Sequence, residues 1–261
     1  MRTYDFSIHN KTVKRDKSRY FTYAFIILLL GVIVWFASYV VLNSPSIMYY
    51  FRENKYSGIE KAHSQAMAVI EKASGADSES LLETNEVIDF LELAHTLQKS
   101  HNEDPILYYH EAIVLSEILR KQIHAKGAAL IFIFFRDFIE KTIFPSDYDH
   151  TLWQRVILLG RQARALGLPD VLQEKLKEAQ IDAYLIGGRP WWESALEFGE
   201  TPSVRKTPAW QLIQAGLARE TPNFELIKAA YGHMLLTFVK ACYYLRSGNS
   251  PLGISNLREV A

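Results

Sequence analysis

Apolar residues follow two patterns along this chain. Across residues 21–42 they run without a polar face, and no Asp, Glu, Lys, Arg or His interrupts them. As a helix this stretch covers roughly 33 Å at 1.5 Å per residue, enough to cross a hydrocarbon core about 30 Å thick. From residue 57 onward the pattern changes to a three-and-four spacing. Ile59, Ala62, Ala66, Val69, Ile70 and Ala73 form one stripe, and Val87, Phe90, Leu91, Ala94 and Leu97 form the next. A polar stretch over residues 74–80 is expected to end the first of these helices, and the second is expected over residues 81–100. Asp104-Pro105, Thr207-Pro208 and Thr221-Pro222 each place a capping side chain before a proline suited to the first helical position. Gly167-Leu168-Pro169-Asp170 and Gly187-Gly188-Arg189-Pro190 mark turns between helices. Sustained two-residue alternation is missing. The spacing predicts an all-α protein with one N-terminal transmembrane helix and a run of antiparallel helix pairs.

Two other apolar runs invite a membrane reading and fail it. Residues 128–135 are too few, and Arg136-Asp137 ends them. Residues 224–245 are long enough, but Glu225, Lys228, His233 and Lys240 lie within them. Each central charge costs about 2.5–3.5 kcal/mol on insertion, so both runs are expected to be buried helices of a water-soluble unit.

Charge adds an orientation. The chain holds 29 basic and 29 acidic residues, a balance that argues against nucleic acid as a partner. Residues 1–20 carry six basic side chains against two acidic ones, a local excess of +4, with −4 left for the remainder. A basic flank before the span predicts a cytoplasmic N-terminus and an extracytoplasmic remainder. The apolar run exceeds the 7–15 residues of a secretory signal and holds no good small-x-small cleavage site, which favours an uncleaved anchor. The one Asn-x-Ser/Thr sequon, Asn10-Lys11-Thr12, lies before the span. The exported part thus offers no glycan acceptor, which suits a bacterial periplasm. The expected organisation is a basic segment (1–20), a transmembrane helix (21–42), a connector (43–56) and a helical domain (57–261).

Within that domain, Val156-x-x-Leu159-Gly160-x-x-Ala163 is followed by Gly167 and then Leu172, Leu176 and Ala179. Ala241-x-x-Tyr244, Gly248, Gly253-Ile254, Leu257 and Val260 form a similar series, and Asp104-Pro105-x-x-Tyr108-x-x-x-Ala112 a partial one. These stretches resemble the tetratricopeptide repeat (TPR), a helix-turn-helix unit that stacks into an α-solenoid. Ala163 replaces the usual Tyr, Leu172 the usual Ala, and Thr237 and Lys240 stand where Trp and Leu are usual. Residues 189–206 interrupt the array. The resemblance implies close helix approach at Gly160 and Ala112, with Tyr244 and Leu176 filling the volume between helices. It also implies a concave face carrying Gln154, Ile157, Arg161 and Arg164, where guanidinium groups suit an acidic partner segment. A solenoid usually needs a polar cap, so Ile254 and Leu257 are expected to be covered by the preceding helix, a second copy or a partner. Trp191 and Trp192, about 100° apart on a helix, cannot easily share one groove. Structural packing of both is the leading expectation, and exposure of one to a partner or the membrane surface is the alternative.

No catalytic motif was found. His110-Glu111 begins like a zinc-protease motif, but Val114 stands where its second histidine is needed. The other histidines are scattered and are expected to be superficial or hydrogen-bonded. Cys242, in an apolar run, is expected to be buried. No cofactor, no metal, no enzyme activity and no deep polar pocket are expected. The layout is similar to that of bacterial membrane-anchored TPR proteins that assist translocons, cytochrome maturation or flagellar-motor assemblies. It implies a protein-interaction scaffold in the inner membrane, with candidate contacts at Gln154, Arg161, Arg164, Trp191 and Trp192. A structural subunit of an envelope complex is the alternative, followed by an envelope enzyme with an unrecognised site.

Overall fold

The computed structural model describes residues 9–43, 57–73, 78–131, 133–134 and 150–260. The chain divides into two units, residues 1–55 and 56–261. Among the described residues every regular element is helical.

The first unit contains α1 (His9–Asn43). The helix begins in the basic flank rather than at the apolar run, a dozen residues earlier than the hydrophobic pattern alone indicates. Within it, Thr22–Tyr39 has a mean hydropathy of 2.1 and none of that window is buried. Leu28, Trp35 and Phe36 are each more than 60% exposed. Trp35 and Tyr39, one turn apart, stack with ring centroids 5.8 Å apart. This helix is long and apolar enough to cross a membrane.

The second unit is built from α2 (Ser57–Lys72), α3 (Ser78–Leu82), α4 (Asn85–Ser100), α5 (Pro105–Ala125), α6 (His150–Ala165) and α7 (Asp170–Gly187). It continues with α8 (Arg189–Ala195), α9 (Pro202–Arg205), α10 (Pro208–Leu217), α11 (Phe224–Arg246) and α12 (Ser250–Val260). The expected stripes are buried along their centres, at Ile59, Ala66 and Ile70 in α2 and at Val87, Phe90 and Ala94 in α4, while Ala62, Val69, Ala73, Leu91 and Leu97 are half-buried. The stretch expected to be one helix over residues 81–100 is divided. Helix α3 starts at Ser78, inside the segment expected as a break, and Thr84 opens α4.

Helix α5 is the hub and lies against α2, α4, α6 and α7. A helix surrounded on this many sides needs apolar residues around its circumference, and α5 buries Ile106, Leu107, Ala112, Val114, Leu115, Ile118 and Leu119. Its start is fixed by the Asp104 carboxylate, which accepts the Ile106 N–H at 3.1 Å, with Pro105 at a position that needs no donor. Thr207 likewise caps α10 by accepting the Trp210 N–H. At the third expected cap the start moves: Asn223, not Thr221, accepts the Leu226 N–H and opens α11.

Consecutive helices pair as α6 with α7, α10 with α11, and α11 with α12. At the turn after α6, Gly167 adopts φ +83°, which a side chain would resist. Gly160 has a packing role: a Cβ there would fall 1.9 Å from the Gln180 amide nitrogen on α7. The close approach expected at Gly160 is therefore present, but a buried amide fills the space. Gln180 donates to the Val156 carbonyl at 2.7 Å and so satisfies itself inside the helix pair. Helix α11 is broken at Gly232 (φ 85°, ψ 175°). Its second half buries Leu235, Leu236, Val239, Ala241 and Cys242, while Lys240 places its ammonium 5.2 Å from the Phe224 ring centre. On α12, Leu252, Ile254 and Leu257 remain exposed, so no preceding helix covers them.

Candidate functional site

The surface singled out in the sequence centres on α6. Gln154 and Arg161 are exposed, two turns apart on one face. Ile157 does not join them, because it is fully buried, and Leu158, 63% exposed, takes its place on that face. The Arg161 guanidinium lies 5.1 Å from the centre of the Trp191 ring, within cation–π range. Trp191 is half-buried and meets Trp153 edge-on at 5.5 Å and Tyr184 at 6.3 Å. Gly187 makes room for it: a Cβ there would fall 2.8 Å from the ring. Gln154, Leu158, Arg161 and Trp191 thus form a mixed face with one polar, one apolar and one cationic group over an anchored indole.

Arg164 and Trp192 do not belong to that face. Arg164 donates to the Gln180 amide oxygen at 2.6 Å, lies 3.7 Å from Glu197 and stands over the Phe198 ring. Its side chain is largely covered, so it serves the α6–α7 junction. Trp192 is fully buried, and its indole N–H donates to the Leu185 carbonyl at 2.8 Å. Gly216 accepts that ring so closely that a Cβ would clash with it at 2.2 Å. Both tryptophans pack, Trp192 fully in the core and Trp191 half-buried against Trp153 and Tyr184.

A second polar cluster joins α5 to its neighbours. Glu111 is buried and accepts from Gln98 at 2.6 Å and from Arg155. Arg155 is accordingly an internal partner rather than a free surface charge. Beside it, His110 on α5 and His63 on α2 meet edge-on, with ring centres 4.7 Å apart. Neither ring nitrogen of His110 has a hydrogen-bond partner, nor does Nδ1 of His63. For these two histidines this corrects the expectation of superficial or hydrogen-bonded rings, whereas His95, His124 and His233 are exposed. Burial, with His63 adding to it, lowers the His110 pKa from 6.5 to about 3, and burial lowers that of His63 as well. Both rings are neutral at physiological pH.

A cleft of about 510 Å³ opens between α5, α7, α9, α10 and α11. Sequence spacing could not reveal it, because its lining comes from separate helices. Among the described residues, no group of three or more His, Cys, Asp or Glu side chains is placed to hold a metal ion. Comparison with family models, curated proteins and solved structures found no match to this chain.

Proposed function

We propose that this chain is a single-span, membrane-anchored interaction scaffold whose TPR-like helical unit lies outside the cytoplasm and recruits or stabilises a membrane protein complex. The carrying observation is α1: a helix of spanning length whose apolar side chains are all left uncovered, directly after a segment with a +4 excess. The repeat-like reading draws support from the α6–α7 pair. There Val156, Leu159, Ala163, Leu172, Leu176 and Ala179 are all buried and Gly167 makes the turn. Helix α5, with four large neighbours, is packed more as a bundle core than as one repeat among equals. The partner contact falls on Gln154, Leu158 and Arg161 above Trp191, since an exposed leucine beside a cation held on an indole suits an amphipathic segment with an acidic group.

Affinity purification of tagged protein from membranes in mild detergent, with mass spectrometry, tests this reading. One dominant membrane complex should co-purify with the wild type and be lost with Arg161→Glu. Recovery of the chain alone under cross-linking conditions would contradict the scaffold.

A further inference from the structure

The cleft of about 510 Å³ is lined by charges of both signs, and they are arranged by element. Helix α7 contributes Glu178 and Asp182, one turn apart and on one face. Helix α9 and the residue after it contribute Ser203 and Lys206, also one turn apart. Arg120 reaches in from α5, while Ile123 and Tyr231 add apolar surface.

Asp182 is the most buried charged group there. It is only 7% exposed, and among the described residues its carboxylate is paired with the Arg120 Nε, 3.5 Å from Oδ2. That is long for a charge-assisted hydrogen bond, which runs at about 2.7–2.9 Å. Arg120 is moreover shared with Glu117, at 3.0 Å. Burial raises the pKa of this carboxyl although Arg120 and His124 act the other way, as expected where desolvation exceeds the compensation supplied. A carboxylate in this position gains most from a ligand that brings N–H donors. On the other element, the Lys206 ammonium makes no ion pair and the Ser203 hydroxyl no hydrogen bond among the described residues.

A lone amine entering this cleft would meet Arg120 and Lys206, and a lone carboxylate would meet Glu178 and Asp182. A ligand carrying both charges is matched on both elements. We propose that the cleft binds a small zwitterion of the α-amino acid class, its ammonium on Asp182 and Glu178 and its carboxylate on Lys206 and Ser203. Ile123 and Tyr231 favour an apolar or aromatic side chain, and the volume lies within the range of small-molecule sites, about 300–1,000 Å³. This site is independent of the α6 face and of the scaffold reading.

The test is calorimetric titration of the full-length protein in detergent with L-phenylalanine and L-leucine. Phenethylamine and 3-phenylpropionate, which keep one charged head each, serve as comparators. Saturable binding of an amino acid is expected, with both comparators at least about tenfold weaker. Asp182→Asn and Lys206→Ala should each weaken it about tenfold or more while leaving the helical circular dichroism unchanged. Lys206 is exposed, so its variant separates loss of binding from loss of fold. No binding of either amino acid, equal binding of a single-headed comparator, or full affinity in Lys206→Ala would overturn the proposal.

Discussion

Acid should weaken this protein through a buried imidazole, and the size of the effect can be worked out. In the folded state the His110 pKa falls from 6.5 to about 3, because the ring is buried and faces His63. In the unfolded chain it returns to about 6.5. As pH falls through that value the unfolded state takes up a proton that the folded state refuses, so stability declines with acidification and stops declining near the folded pKa. Between about pH 7 and about pH 5 the expected loss from this one group is about 2 kcal/mol, and His63, shifted in the same direction, adds to it. Replacing His110 with leucine removes the titration and also two ring nitrogens that have no hydrogen-bond partner. At neutral pH the variant should match or exceed the wild type, since an unpartnered buried polar atom costs about 1–3 kcal/mol. Urea unfolding of the detergent-solubilised protein, followed by far-ultraviolet circular dichroism at both pH values, measures the difference. The wild type should lose about 2 kcal/mol more than His110→Leu on acidification. Equal losses in the two proteins would refute a neutral, buried His110.

Three further substitutions follow from the packing. Gly160→Ala should cost about 2 kcal/mol in chemical denaturation, because the new methyl displaces Gln180 from the Val156 carbonyl, and Gln180→Ala should restore part of it. Trp192→Phe should lower stability by about 1–3 kcal/mol by removing the indole N–H bond to the Leu185 carbonyl and leaving a gap beside Gly216, measured in the same assay. Arg164→Glu should lower the melting temperature, since it removes the bond to Gln180 and sets a carboxylate beside Glu197, whereas Arg161→Glu on the exposed face should leave it nearly unchanged.

Features governed by local chemistry were readable from the chain, and those set by the neighbour on the far side were not. Asp104-Pro105 and Thr207-Pro208 start helices because a side-chain acceptor next to a proline solves the same problem in any fold. Gly167 and Gly188 mark turns because their positive φ excludes other residues at little cost. Ile157 and Leu158 show the limit. Both are apolar, they point about 100° apart, and only the position of α5 and α7 decides that Ile157 is buried and Leu158 is not. Arg164 shares a repeat-derived face with Arg161 in sequence, yet α7 presents Gln180 to it. Gly232 sits in an apolar run where a glycine is normally tolerated, and nothing around it signals that the backbone breaks there. His63 with His110, and Asp182 with Lys206, come from different helices, so no spacing rule joins them.

The central claim is that α1 anchors the chain with its helical unit outside the cytoplasm. Fusing alkaline phosphatase or green fluorescent protein to the C-terminus and expressing both in a bacterial host tests it most directly. A +4 flank before the span predicts an active phosphatase and a dark fluorescent protein. An inactive phosphatase with a bright fluorescent protein would place the helical unit in the cytoplasm and contradict the account.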